Sequence, residues 1–284
     1  MNDYHDYLIP GIHQKLSVVR TTDHGAVLAS RKGEEVLLPR RYTQPWMQPG
    51  AELEVFIYHD GDGRIVATTE TPSATLGEAT TMRIVSTTAD GAFADWGLAK
   101  DLFIPKTHQK EPLRPGDETI VVVMQDRKRR LFGSTRLEKG FDRRPQLKRN
   151  QAVSLLIFGK TELGYKAIVE KRYEGLIFHS EIFAPIQIGQ QMTGYVKQIR
   201  QDGKIDLLTR PIGKKSDTLA MDGIMAYLRS HGGIMPLTYK SQPEAIRTIL
   251  GLSRKNFKRA LTALIDKGVV EVDKSETRIK RRQP

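Results

Sequence analysis

The chain has 284 residues, 39% of them hydrophobic, no cysteine, and a formal net charge of +12 at neutral pH. No apolar run approaches the ~20 residues of a membrane-spanning helix, and without cysteine neither a disulfide nor a thiolate metal site can form. Met1-Asn2-Asp3-Tyr4 has neither the basic start nor the apolar stretch of a secretory leader, so a cytoplasmic protein without membrane contact is expected.

The charge is unevenly spread. Residues 1–126 carry 12 Lys/Arg against 18 Asp/Glu, and residues 127–149 carry 10 against 2. Residues 150–215 carry 10 against 6, and residues 216–284 carry 13 against 7. Because Lys and Arg neutralising phosphates dominate polyanion binding, the second half is the expected nucleic-acid face. The acidic front half is expected to scaffold, or to recruit a protein partner.

In chain order, a short polar lead-in, residues 1–11, is followed by Gly25, Pro39 and Gly50. The same spacings recur at Gly91, Pro105 and Gly116, and again at Gly164, Phe178 and Gly189. Similar strands open at Ile65, Leu131 and Ile205, each with a Thr four residues later. The chain is therefore an internal triplication. Each copy holds short alternating or β-branched runs separated by Gly/Asp turns, as in Asp60-Gly61-Asp62-Gly63 and Asp202-Gly203, which predicts a small antiparallel barrel. The expected spans are 1–72, 73–137 and 150–215, with a basic linker at 138–149.

In copy one, Arg40-Arg41-Tyr42 reads as a nucleic-acid clamp or as a solvated loop after a strand. In copy two, Phe93 either stacks on a base or enters the core. The basic run contributes Arg143, Arg144, Lys148 and Arg149 as phosphate contacts, broken by Gly140 and Pro145. Copy three has the fullest equipment: Tyr165, Lys166, Tyr173, Phe178 and His179, flanked by Arg200 and Lys204. Alternation predicts that, of Phe178 and His179, one faces in and one out.

From Asp217 the period becomes helical, with Met221, Met225 and Leu228 at i, i+4, i+7. Ser241-Gln242-Pro243-Glu244 reads as a capping box opening a second helix. Ser253 caps a third, stopped by Gly268, and two strands follow at Val269–Val272 and Thr277–Lys280. Helix, strand, helix, helix, hairpin is the order of a winged helix spanning 216–284. Its third helix carries Arg254, Lys255, Lys258 and Arg259, and the wing and tail add Arg278, Lys280, Arg281 and Arg282. These suit backbone contact more than base reading.

The run GLIFHSEI at 175–182, with its flanking glycines and GKIDLLT, resembles the S1 RNA-binding domain, a five-stranded OB barrel. The resemblance places Phe178 at the S1 histidine that faces ligand and Phe93 at a stacking aromatic. It places His179 at an apolar position, which points to a partly buried imidazole. Three S1-like copies followed by LSRKNFKRALTALIDKGVV resemble the bacterial conserved virulence factor B family. That resemblance implies a mainly β protein of three tandem S1/OB barrels and an α+β winged helix. It further implies an RNA-binding regulator of gene expression, virulence genes included, with single-stranded RNA as partner and DNA as the alternative through the winged helix. The 7 His are scattered, with no His-x-x-x-His, P-loop or carboxylate cluster, so no catalytic residue, metal or cofactor is expected.

Overall fold

A computed structural model of the chain describes residues 6–182, 184–212 and 214–280, the side chains of 214–216 excepted. Arg281 and Arg282 of the expected tail lie outside the described residues.

The first copy folds as β1 (His13–Thr22), β2 (Gly25–Ala29), β3 (Glu35–Pro39), β4 (Glu52–His59) and β5 (Ile65–Thr68). The second supplies β6 (Ala79–Thr87), β7 (Gly91–Asp95), β8 (Leu102–Pro105), β9 (Glu118–Gln125) and β10 (Leu131–Ser134). The third supplies β11 (Ala152–Lys160), β12 (Gly164–Val169), β13 (Tyr173–Phe178), β14 (Gln191–Ile199) and β15 (Ile205–Leu208). The protein is thus mainly β, with three five-stranded barrels of one topology. The first closes in the order β1-β2-β3-β5-β4 and the third in the order β11-β12-β13-β15-β14. In the second, a Cβ on Gly133 would touch Leu102 and Ile104, so β10 lies beside β8 as β5 lies beside β3.

Alternation fills each interior. Leu53, Val55 and Ile57 enter the first core, Ile84, Ile104 and Val121 the second, and Leu155, Ile157 and Leu207 the third. The lead-in takes part as well. Leu8 is buried in the first core and its N–H donates to Glu34 at 2.6 Å.

The repeat spacing has a steric cause. Gly25 and Gly91 are register partners of Pro39 and Pro105, fourteen residues on. A Cβ at Gly25, Gly91 or Gly164 would overlap the carbonyl oxygen of Leu38, Ile104 or Ile177. Gly25 and Gly164 also hold φ of +140° and +154°. The later glycines make the turn into the fourth strand of each copy: the N–H groups of Gly50, Gly116 and Gly189 donate to Val18, Ile84 and Ile157 carbonyls, each at 2.8 Å.

The C-terminal part contains α1 (Lys214–Ser230), β16 (Ile234–Met235), α2 (Pro243–Leu250), α3 (Arg254–Asp266), β17 (Val270–Val272) and β18 (Thr277–Ile279). The sheet order is β16-β18-β17. Ile224, Leu228, Ile246, Phe257 and Leu261 form its core. The helix α1 starts three residues before the expected Asp217. The expected capping box does not form. Gln242 is the N-cap of α2 without a side-chain bond, because the Ser241 hydroxyl accepts instead from the Thr238 N–H at 2.8 Å. Ser253 does cap α3, accepting from the Asn256 N–H at 3.2 Å. Gly251, at φ +59°, ends α2 in the left-handed conformation.

Two compact units divide the chain. One is the chain up to Arg143 with Glu170–Glu174; the other is Arg144–Val169 with the chain from Gly175.

Gly164→Ala is expected to destabilise the protein by about 3 kcal/mol, since the strand crossing leaves no room for a methyl. Gly189→Ala, at positive φ but facing open space, should cost about 1 kcal/mol. Urea unfolding of both variants checks this; equal losses would show that the crossing is not what fixes the spacing.

Candidate nucleic-acid interface

The hairpin between the last two strands differs among the copies in the residue that opens it. In copies one and two it runs from Asp60 to Arg64 and from Asp126 to Arg130, and each Arg pairs with its own Asp at 2.8 Å. Backbone donation from Arg130 holds Asp126 below the usual carboxylate range, against the effect of burial, and the Arg130 side chain adds to it. In each, the closing arginine is neutralised by the aspartate that opens the turn. In copy three the same backbone turn is closed by Arg200 N–H to the Lys204 carbonyl at 2.8 Å. Both of its terminal residues are basic.

Arg200 is oriented from two sides. Its guanidinium reaches the buried Asp206 at 2.6 Å and lies 5.6 Å from the centre of the Phe178 ring. Gln198 also donates to Asp206, at 2.6 Å. The result is a half-buried aromatic ring carrying a fixed cation, a pairing suited to a base and its phosphate. Lys204 sits at the other side of the turn, its N–H donating to Asp202 at 3.1 Å.

His179 is exposed, contrary to the expected partly buried imidazole. Strand β13 ends at Phe178 and a 3-10 turn begins at His179, so alternation stops there and both side chains face outward. The His179 ring stands edge-on to Tyr165 at 6.1 Å, and Lys160 lies 5.8 Å from the Tyr165 ring. Lys166, next to Tyr165 on β12, lies instead 6.0 Å from the Phe158 ring. Tyr173 does not join this group. It begins β13, five residues from Phe178 and so about 16 Å away along the strand.

The basic run separates into parts. Residues 127–130 form the β9–β10 turn, where Arg129 donates to the Leu8 carbonyl at 2.6 Å. Leu137 and Phe141 are buried, so the start of the expected linker packs on the second barrel. Arg143 is engaged with Glu174 at 3.3 Å. Arg144, Lys148 and Arg149 are exposed.

On α3, Arg254 and Lys255 are exposed and Lys258 is half-buried. Arg259 is paired with Asp217 of α1, and Arg278 with Glu276. Lys280 is exposed. Lys255, Asn256 and Arg259 share a cavity of about 340 Å³ with Ser180, Thr209 and Arg210 of the third barrel, and Arg247 donates to the Ser180 carbonyl at 3.3 Å. The amino end of α3 thus faces the third barrel.

One outward row crosses the second, third and fifth strands of every copy. In copy one it is Val27, Leu37 and Val66, and in copy three Lys166, Leu176 and Asp206. In copy two it is Phe93, Phe103 and Phe132. Phe93 is therefore an outward residue, paired with Phe103 at 5.2 Å, and the His108 ring stands edge-on to Phe132 at 4.6 Å. In copy one the row is covered: Val66 and its partner Tyr58 pack with Trp96 in one apolar cluster. Tyr42, of the expected clamp, also packs against the first core, with the Arg41 guanidinium 4.7 Å from its ring.

A model of the S1 domain matches residues 10–70 and again 76–136. A model of the CvfB-like winged helix domain matches residues 222–279. The uncharacterized protein YitL of Bacillus subtilis is 30% identical over 277 residues, covering 93% of this chain and 92% of its own. The chain belongs to the conserved virulence factor B family. A member of that name from Staphylococcus aureus strain N315 is 26% identical over 283 residues, with the same coverage. A solved multidomain protein with nucleic acid binding domains from Streptococcus pneumoniae is 24% identical. It covers 94% of this chain and 97% of its own, with a TM-score of 0.41.

In this family member the sequence reading missed Lys160, Phe103, Phe132 and His108. The repeat register held the signal for the last three, because counting from Gly91 places Phe103 and Phe132 in line with Phe93. Among the described residues, no group of three or more His, Asp or Glu could hold a metal ion, and no helix is long and apolar enough to cross a membrane.

His59 and His108 give a pH dependence. Burial, then the charge of Lys100, lowers His59 below the usual imidazole value; burial, then Lys139 and Arg136, lowers His108. An unfolded chain with imidazoles near pKa ~6.5 takes up these protons first. Stability is then full above about pH 6.5 and falls as the pH drops below it. Thermal melts at constant ionic strength should show a lower Tm near pH 5.5 than near pH 7.5. The double variant His59→Gln/His108→Gln should shrink that difference; an unchanged difference would assign it to other groups.

Proposed function

We propose that this chain is a non-catalytic, cytoplasmic RNA-binding regulator that takes single-stranded RNA on its third barrel. The observation that carries the reading is Arg200, held by Asp206 over the Phe178 ring at the opening of a turn that the other copies open with an aspartate. An aromatic face needs an unpaired base, which favours a single strand over a duplex. Lys160, His179 and Tyr165 extend the surface along the same barrel. The exposed Arg144, Lys148 and Arg149, and Lys255 beside the third barrel, supply further phosphate contacts. The names of the staphylococcal relatives support a role in virulence-gene expression, and RNA as ligand supports a post-transcriptional one.

Recognition of DNA through α3 is the less favoured reading. The amino end of that helix, which would enter a groove, faces the third barrel.

The test is binding of labelled single-stranded RNA and duplex DNA to the full chain across a salt series. Phe178→Ala is expected to weaken RNA binding about 5- to 150-fold, the loss of one stacked base. Arg200→Gln should flatten the slope of log K against log salt by about 0.7, the loss of one phosphate contact on a single strand. If Arg254→Gln/Lys255→Gln abolishes binding while Phe178→Ala leaves it intact, the winged helix is the reader and this proposal fails.

A further inference from the structure

We propose that the groove along the free edge of β17, in the winged helix, takes an extended peptide as an added strand, one whose apolar residues are flanked by acidic ones. This rests on no part of the RNA reading above, which belongs to the third barrel. The groove encloses about 670 Å³, within the ~300–1,000 Å³ typical of ligand sites.

The backbone makes the edge. In the sheet order β16-β18-β17, β17 is outermost. The Lys280 N–H donates to the Val269 carbonyl and the Asp273 N–H to the Glu276 carbonyl, each at 3.0 Å. Bonds to one neighbour alternate along an antiparallel strand, so residues 269, 271 and 273 turn their backbone groups to β18. The backbone groups of Val270 and Val272 turn outward and find no partner among the described residues. Residues 270–274 all line the groove, although side chains alternate between faces, so the groove follows the edge of the strand and not one face of the sheet. Such an edge is a template for another extended chain.

The lining decides the class of peptide. Val270 is buried, and Val272, Ile265 and Tyr239 are half-buried. The Tyr239 hydroxyl is bonded to Thr262 of α3 at 2.9 Å, which fixes the one ring at the groove. A mostly aliphatic floor beside an unpaired strand suits a peptide with a branched side chain better than a stacked base. Lys240, Lys274 and Lys280 stand around this floor, exposed and without an ion-pair partner among the described residues. Against them are Glu271 and Asp273, and Asp273 is taken up by the N–H groups of Ser275 and Glu276 at 2.7 and 2.9 Å. The rim is left positive, which complements acidic residues on either side of an apolar centre.

Fluorescence anisotropy of a labelled peptide, Glu-Asp-Ile-Val-Ile-Asp-Glu, titrated with the full chain tests the site. Binding is expected in the micromolar to millimolar range. N-methylation of the three central peptide residues, which removes the N–H groups that pair in either register, should weaken it about tenfold or more. Val272→Pro should have a similar effect, since its N–H faces outward and its loss leaves the β17–β18 ladder intact. Should that variant not fold, the surface variant Lys240→Glu/Lys274→Glu carries the test, with an expected loss of about fivefold. Phe178→Ala should weaken RNA binding and leave the peptide titration unchanged, which separates this site from the RNA reading. Absence of peptide binding, or equal binding of the N-methylated peptide, would overturn the proposal. Displacement of the peptide by a single-stranded RNA that itself binds more weakly to Lys240→Glu/Lys274→Glu would overturn it by giving the groove to nucleic acid. Self-association of the chain that Val272→Pro abolishes would overturn it by seating a second copy there.

Discussion

Each barrel depends on a place where two strands pass too closely for a side chain. At Gly25, Gly91 and Gly164 the space a Cβ would need is taken by a carbonyl oxygen of the next strand. Once that crossing is fixed, the register beyond it follows. Two residues along, Val27 must stand beside Leu37 and Phe93 beside Phe103. A one-residue slip would turn each outward row into the core. A backbone constraint with no chemistry of its own thus decides which residues can meet a ligand.

On this shared frame the three copies hold different equipment. The row of the first copy is aliphatic, with Val27 and Val66 buried, and uncovering a buried aliphatic side chain costs about 1.5–3 kcal/mol. The second copy holds phenylalanines. The third replaces two of those places with Lys166 and Asp206, and Asp206 then orients Arg200.

Much of this was legible in the chain because the triplication supplied its own alignment. The barrels, their closing strands and the winged-helix order all follow from glycine spacing and a change of hydrophobic period. Phe178 and Arg200 were legible as well, through GLIFHSEI and the turn at Asp202-Gly203. His179 was not, because alternation holds only while a strand continues, and the 3-10 turn starts at that residue. The capping box failed for a similar local reason, since the Ser241 hydroxyl had a nearer N–H to satisfy at Thr238. Charge counts did not reveal the partners of Arg143, Arg259 and Arg278. A count along the chain cannot show that Glu174, Asp217 and Glu276 fold back onto them.

The two tryptophans lie in contrasting surroundings, both in the first unit. Trp96 is 3% exposed with its indole N–H bonded to a carbonyl, whereas Trp46 is 57% exposed. Intrinsic emission excited at the red edge therefore observes one half of the molecule and is blind to the other. Near-ultraviolet signals from Tyr165, Tyr195, Tyr227 and Tyr239 come from the remainder. A single unlabelled sample, followed in both channels, can reveal whether the two halves melt as one cooperative body or in succession.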